Sequence, residues 1–372
     1  MASAKPHGLG RDMNLKGMSR SLYALFIVLI VATSTVTGQI GGETIYNFLN
    51  LAPSARITGL GGSLISVVDE DPANAVYNPG LLNRQMHGGI TFQNNFHFDG
   101  IYNGYVGYAH FIDKWGITSH GGVQFMQYGK FVAADEYGNT FGTFKASEMA
   151  ITVGAAKEIG GGLSAGVNLR FINSNYEIYN STGLTADIGA SYYNEESMFS
   201  AGLTIRNVGF QLSPYDDVKE DVPVDIQLGV SKRLKHLPFR ISVIAHSLNR
   251  WNLRYDSPLD QDDTILIGEE PKEESDFSKG LDNLFRHFIF SGEFLIGKNE
   301  VVKLRLAYNH QRRKELMVSS LRSLAGFSGG VGIKIKRFAI DYGFGSYHIA
   351  GSTHHVGIST HISRYEQSTI VD

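Results

Sequence analysis

Gly326-Phe327-Ser328-Gly329-Gly330 has the G-x-S-x-G spacing of a nucleophilic serine, a chemistry that depends on a sharp strand-to-helix elbow to expose the hydroxyl. Here Ser328 opens a run of alternating polarity with no helical pattern after it, so it reads as an inward strand position. Gly59-Leu60-Gly61-Gly62 has the glycine density of a phosphate-binding loop but lacks the Lys-Ser/Thr ending and the following helix. Tight turns account for it better. His348, His354, His355 and His361 are of a metal-ligating type, yet alternation along a strand sends neighbours to opposite faces, and no carboxylate at ligand spacing completes a site. The chain contains no Cys, which excludes thiol catalysis, Cys-based zinc sites and a disulfide scaffold. Neither an enzyme nor a bound cofactor or metal is expected, and a formal net charge of -3 argues against a nucleic-acid partner.

The elements that carry these residues are strands. The chain of 372 residues has 43 Gly and only 19% charged residues, against about 25% charged in an average soluble protein. Leu163, Ala165, Val167, Leu169 and Phe171 alternate with Ser164, Asn168 and Arg170; Leu184, Ala186, Ile188 and Ala190 alternate with Thr185, Asp187 and Ser191. The same period of two recurs from Ile90 to Phe98, Val224 to Ser231, Phe288 to Ile296, Val302 to Tyr308 and Phe338 to Phe344. About fourteen such segments of roughly nine to eleven residues are expected, an even number at the length that crosses a bilayer when tilted. One face is apolar and almost free of charge, and the other is polar and small. A soluble sandwich explains neither as well as a closed transmembrane antiparallel β-barrel with a polar lumen.

The connections alternate in length. Gly129 to Ser147, Asn173 to Thr182, Asn207 to Pro223, Ser247 to Phe285, Gln311 to Ala325 and Ser346 to Thr353 are expected as long outer loops. Lys157 to Gly161, Asn194 to Ser197, Lys232 to Leu237, Gly297 to Glu300 and the reversal at Lys336 are expected as short periplasmic turns. Arg20, the apolar run from Leu22 to Ala32 and the small residues Ser34 to Gly38 read as a secretory signal cleaved after Gly38, with Met1 or Met18 as the start. The expected organisation is therefore 1–38 upstream residues and signal, 39–85 an N-terminal hatch, 86–364 the barrel and 365–372 a periplasmic tail, with both termini periplasmic. Trp115, Trp251 and the many Tyr suit interfacial girdles.

The hatch segment does not alternate. It contains Ala55-Arg56, Gly59 to Gly62, Asp69-Glu70-Asp71-Pro72-Ala73-Asn74 and Asn78-Pro79-Gly80-Leu81-Leu82. This order resembles the N-terminal hatch of FadL-like outer-membrane proteins, with Gly80 where Ala is usual, and the resemblance implies a segment folded into the barrel that plugs it. Its expected residues are Arg56, Gly59, Gly61, Gly62, Asp69, Asp71, Asn74, Asn78 and Pro79, the two aspartates pairing with inward Arg or Lys such as Arg170, Arg206, Arg240 or Arg305. Residues 39–56 (QIGGETIYNFLNLAPSAR), 231–240 (SKRLKHLPFR), 292–299 (GEFLIGKN) and 308–316 (YNHQRRKEL) further resemble the PorQ family of barrels of the type IX secretion system of Bacteroidota. That resemblance implies a subunit of the cell-surface attachment complex. Such a subunit holds a PorZ-like surface protein beside a PorU-like sortase and a PorV-like barrel, and secreted cargo is processed there and joined to anionic lipopolysaccharide.

Two sets of residues bear on the role. The inward charges Arg170, Asp187, Arg206, Asp225, Arg240, Lys303, Arg305 and Asp341 make a cross-linked interior that favours a plug which stays closed. A FadL-like channel for hydrophobic small molecules, the alternative, needs an apolar pocket and an exit. The segment from Ser247 to Phe285 is strongly acidic, with Asp263, Glu269, Glu270, Glu273 and Glu274 among its carboxylates, and Phe277, Leu281, Leu284 and Phe288 fall at helical spacing. A short amphipathic helix on the rim or on a partner is expected there. This loop, with Asp135 to Asn139 and Tyr215 to Asp221, Asp216 and Asp217 included, is the expected docking surface for the surface partner.

Overall fold

The structure is a computed structural model that describes residues 44–254, 275–298, 300–316, 324–348 and 351–362. The expected signal, start and tail lie outside these residues. From Gly89 onward the period-two pattern is satisfied by fourteen antiparallel strands among the described residues: β1 (Gly89–Phe96), β2 (Tyr102–Ile112), β3 (Ile117–Ala134), β4 (Thr140–Gly160), β5 (Leu163–Tyr176), β6 (Tyr179–Asn194), β7 (Phe199–Ser213), β8 (Asp225–Arg233), β9 (Phe239–Ala245), β10 (Phe288–Ile296), β11 (Val302–Asn309), β12 (Phe327–Ile335), β13 (Phe338–His348) and β14 (Gly351–His361). Each strand pairs with its sequence neighbours, and β1 closes on β14 from Gly89↔His361 to Phe96↔His354. Closure leaves no edge strand, which is what lets a sheet stand in lipid with every backbone group paired.

The faces sort by chemistry in the sense opposite to a soluble protein. Val153, Val167, Leu169, Ile188, Leu203, Phe294, Leu304, Leu306, Ile340 and Ile358 lie exposed on the outside, while Thr91, Gln93, Asn168, Arg170, Asp187, Thr204, Gln227 and Arg305 are buried inside. An apolar band around a polar interior is stable only where the outer solvent is hydrocarbon. The fold is a transmembrane barrel of the outer-membrane type.

The wall is uneven. Strands β3 to β7 run 14 to 21 residues and β8 to β11 only 7 to 9. At ~3.3 Å per residue and ~40° of tilt, β4 rises roughly 53 Å and β9 roughly 18 Å, against an apolar band of ~25 Å. Strand takes up part of four of the expected long loops. Gly129 to Ser147 is mostly a β3–β4 ribbon with a five-residue tip at 135–139, Asn173 to Thr182 is strand except for 177–178, Asn207 to Pro223 begins as β7 up to Ser213, and within Ser346 to Thr353 the described residues pair as strand, Ser346 with Ser352 and His348 with Gly351. Above the bilayer both faces of a ribbon meet water, so nothing forces the alternation that reveals a strand in sequence. The short turns fall near their expected places, at 161–162, 195–198, 234–238, 297–301 and 336–337.

Residues 44–88 fill the barrel. They form a helix α1 (Ala55–Gly59) and 3-10 turns at Asn47–Asn50, Pro72–Val76, Pro79–Leu81 and Arg84–Met86. Ser54, Asp71, Asn78 and Asn83 each cap the turn that follows by accepting from a backbone N–H, which is how so short a helix and three 3-10 turns persist inside a lumen. Ile57, Leu60, Leu64, Ile65 and Tyr77 pack with barrel residues Ile244 and Ile289 into one apolar cluster; Phe48 and Leu49 pack with Met126, Ala150 and Ile172 into a second. Two further helices, α2 (Asp276–Arg286) and α3 (His310–Glu315), stand past the upper ends of β9 and β11.

Candidate functional site: the hatch and its ionic lock

Arg56 projects from α1 into a nest of carboxylates. Its Nη1 donates to Asp69 Oδ2 at 2.6 Å, and Nε and Nη2 fork onto the two oxygens of Glu293, each at 3.2 Å. Glu293, on β10, also accepts from Arg305 Nε at 3.2 Å and Arg240 Nη1 at 2.9 Å, and Arg305 Nη1 reaches Asp341 Oδ1 at 2.6 Å. Arg56, Glu293 and Arg305 have side chains no more than 4% exposed. Three guanidiniums thus share Glu293, Asp69 and Asp341, a buried network whose members are strongly held only while all are present. Asp71 stands 3.7 Å from Arg56. Burial raises its carboxyl to about 6, more than Arg56 lowers it. Burial acts on Asp69 in the same sense, but the nearer Arg56, with Lys303 and Arg240, holds it below the usual carboxylate range.

This geometry keeps Arg240 among the expected partners of the aspartates and corrects the others. The aspartates of the hatch meet Arg56 of the same segment, with Arg240 3.9 Å from Asp69. Arg305 joins the cluster through Glu293, and Arg170 and Arg206 serve other contacts. Arg170 is bound to Asp187 at 2.7 Å and to Asn207 Oδ1 at 2.8 Å, and its Nη2 reaches the hatch carbonyl of Val76 at 3.4 Å. Arg206 donates to Leu49 O at 2.9 Å and lies over the Tyr77 ring, 3.8 Å from its centroid. Asp225 accepts from Ser247 N and Gln227 Nε2, and Lys303 pairs with Glu300.

Polar contacts continue around the lumen. Thr58 Oγ1 meets His355 Nδ1 at 2.9 Å, Ser63 Oγ donates to Gln227 at 2.6 Å, and Asn78 Nδ2 donates to Ile65 O and Ala190 O. Asn78 Oδ1 accepts from Gly80 N, and Asn74 Nδ2 donates to Asp69 Oδ1. Pro79 begins the 3-10 turn that packs on β4 to β7. Gly59 packs against Gly329 and Gly330 of β12, and Gly61 and Gly62 take φ of +92° and +98°, which glycine adopts without strain. Arg312 of α3 closes over that turn, donating to Gly61 O at 3.1 Å while its guanidinium stacks 3.7 Å from the Tyr347 centroid. Below the hatch, at the short-turn end, a recess of about 460 Å³ is lined by Asp69, Arg233, Arg240, Glu300, Lys303 and Lys334 among others.

The other singled-out residues sit apart. Ser328 is buried in β12, which runs on as strand to Ile335. His354 and His355 point to opposite faces, His354 bonding Tyr342 outside and His355 buried against Thr58. Asp135 is spent on its own turn, accepting from Asn139 N at 2.8 Å and Tyr137 N at 3.0 Å. The Tyr215 hydroxyl turns inward to Ser174 Oγ, leaving Asp216 and Asp217 exposed beside it. Asp263, Glu269, Glu270, Glu273 and Glu274 lie outside the described residues. Phe277 and Leu281 are exposed on α2. Glu293 was legible only as the polar position of its strand; its signal is an inward carboxylate on a wall whose neighbouring inward positions, Arg240 and Arg305, are cationic.

The fold and the lock together define a class: a fourteen-stranded barrel of the outer-membrane type, closed by its own N-terminal segment. No protein-family model matches the chain, and no curated protein matches it. Similar solved structures include the TodX monoaromatic hydrocarbon channel in a deltaS2 mutant, at 10% identity over 83% of this chain and 97% of that one with a TM-score of 0.46. The CymD monoaromatic hydrocarbon channel is similar at 11% over 84% and 97%, TM-score 0.46, and a Pseudomonas aeruginosa FadL homologue at 9% over 87% and 100%, TM-score 0.46. Likeness this distant assigns no role.

Proposed function

We propose that the chain is an outer-membrane anchor subunit of a type IX secretion attachment complex. In this reading the termini and short turns face the periplasm, and the tall β3–β7 wall and the acidic segment face outward. They hold a PorZ-like surface protein beside a PorU-like sortase and a PorV-like barrel, so that cargo is processed and joined to anionic lipopolysaccharide. The observation that carries it is the filled lumen: from Ala52 to Leu82 the hatch is buried apart from Gly62 and residues 68–71, and it is cross-linked to the wall by buried ions. A barrel closed in this way does its work at its rim. The sequence resemblance supplies the partners. The second reading, a FadL-like channel for hydrophobic small molecules, draws on the recess below the hatch, whose charged lining suits an apolar ligand poorly.

The test is gentle detergent extraction of a tagged copy from native outer membranes, with mass spectrometry of what travels with it. Co-purification of a large β-propeller protein with PorU-like and PorV-like proteins is expected, and replacing 269–276 with a Gly/Ser linker is expected to release the propeller into the medium while the barrel stays in the membrane. Recovery of the barrel alone, carrying an apolar ligand, contradicts the anchor reading.

A further inference from the structure

α2 is built inside out. Its polar side faces the protein: Asn283 Nδ2 donates to Trp251 O at 2.6 Å and Asn283 Oδ1 accepts from Leu253 N at 2.8 Å. Asp282 accepts from Arg286 Nε at 2.9 Å, His310 Nε2 at 3.0 Å and Lys314 Nζ at 3.1 Å. Its apolar side turns outward, with Phe277 77% exposed and Leu281, Leu284 and Phe285 partly exposed at 40%, 38% and 45%, Phe285 also meeting the His310 ring edge-on at 6.0 Å. At 100° per residue these four share one stripe, and Phe288, the first residue of β10, follows two residues after the helix. A helix whose polar side is bonded and whose apolar side is left partly exposed is stable where that side meets something apolar.

Three observations say what it meets. The stripe runs without a break into the band that faces hydrocarbon, because Phe288 stacks on Phe290 at 6.1 Å and Phe290, Phe294, Leu304 and Leu306 continue outward down β10 and β11. The wall is lowest here: β9, β10 and β11 have 7, 9 and 8 residues, so strands that rise roughly 18 to 23 Å fall short of a ~25 Å apolar band and the bilayer reaches the level of the helix. Trp251, 70% exposed and stacked on His287 at 5.6 Å, stands beside it, and a tryptophan of that kind belongs at a membrane interface.

We propose that α2 is seated in the lipid leaflet at the long-loop end, completing the apolar band above the short strands β9 to β11, with its stripe among acyl chains and its polar side sealing the rim through Asp282 and Asn283. The seat rests on the barrel's spanning a membrane and is independent of the anchor role. It assigns Phe277 and Leu281 to lipid and leaves a protein partner to the tall wall and the acidic segment.

Because the chain has no Cys, single cysteines report cleanly. Phe277→Cys, Leu281→Cys and, on the other side of the helix, Lys279→Cys are to be spin-labelled in the full-length barrel, purified alone and placed in nanodiscs. Accessibility is then read with oxygen, which concentrates in lipid, and with a water-soluble nickel chelate. The oxygen-to-nickel ratio is expected to be several-fold higher at 277 and 281 than at 279. Equal nickel accessibility at all three positions contradicts the proposal and leaves the stripe for a protein partner; protection from both reagents at 277 and 281 contradicts it in favour of a second copy of the chain. A measurement that needs no substitution uses lipids with photoreactive acyl chains and the wild-type protein: peptides covering 276–286 are expected to be labelled along with those of β10 and β11, and labelling of the strands without the helix overturns the seat.

Discussion

Arg56→Met is expected to lower the resistance of the barrel to thermal unfolding by about 3–5 kcal/mol, the loss typical when one partner of a buried ion network is removed. Glu293 and Asp69 would stay behind, the first 2% exposed and lacking its bidentate partner, the second held by its contact with Arg240 at 3.9 Å. Glu293→Gln is expected to cost as much, since it removes the negative charge that Arg56, Arg240 and Arg305 share and puts an NH2 donor in place of one of its two acceptor oxygens. The double variant Arg56→Met with Glu293→Gln is expected to fall short of the sum, because each substitution removes the penalty that the other creates. Unfolding in detergent followed by the gel mobility of heated and unheated samples reads all three. Melting curves of both single variants that superpose on wild type would contradict the lock.

Gly343→Ala and Gly202→Ala are expected to expel the hatch while leaving the barrel closed. A Cβ on Gly343 would stand 2.1 Å from Ala55 O, and one on Gly202 would stand 1.9 Å from Ile65 O. In both cases the obstacle is hatch backbone, which no rotamer change relieves, so the overpacking cost reaches or exceeds the usual ~1–3 kcal/mol. The strands themselves lose nothing by taking Ala, and Gly121→Ala, whose nearest neighbour is Thr152 O at 3.9 Å, is the matched control. Trypsin reports the outcome by cutting at Arg56, 3% exposed in the seated hatch, fast in the two hatch-facing variants and slow in wild type and control. Slow cleavage in all four would mean that the hatch seats without this close approach.

Much of this architecture was legible in sequence for one physical reason: where a strand separates lipid from a polar lumen, each residue must choose a side. Leu163 to Phe171 and Leu184 to Ala190 obey that constraint, and the inward Arg170 and Asp187 are therefore readable as lumen residues. The ribbon from Gly129 to Ser147 has no such constraint, and its Gly and polar residues read as loop although Lys130↔Lys145 and Phe131↔Phe144 pair in register. Inside the hatch the limit is different. Arg56, Asp69 and Asp71 are conspicuous as charges in a short segment, but which of them meet depends on α1 and the capped turns that fold the segment back on itself. Arg170 finds Asp187 on the adjacent strand, a diagonal neighbour in the β5–β6 register, and is no longer free for Asp69. The inside-out character of α2 is likewise invisible in its spacing, since a periodic stripe says that one side is apolar and not which way it turns.

The claim on which the account rests is that the lumen is sealed, and the conductance of the purified wild-type barrel in a planar lipid bilayer tests it most directly. The account predicts insertion without ion-conducting steps under applied voltage, the hatch remaining locked by Arg56 and Glu293. Stable conductance steps from the intact wild-type protein would contradict it and would return the lumen, in place of the rim, to the centre of the protein's function.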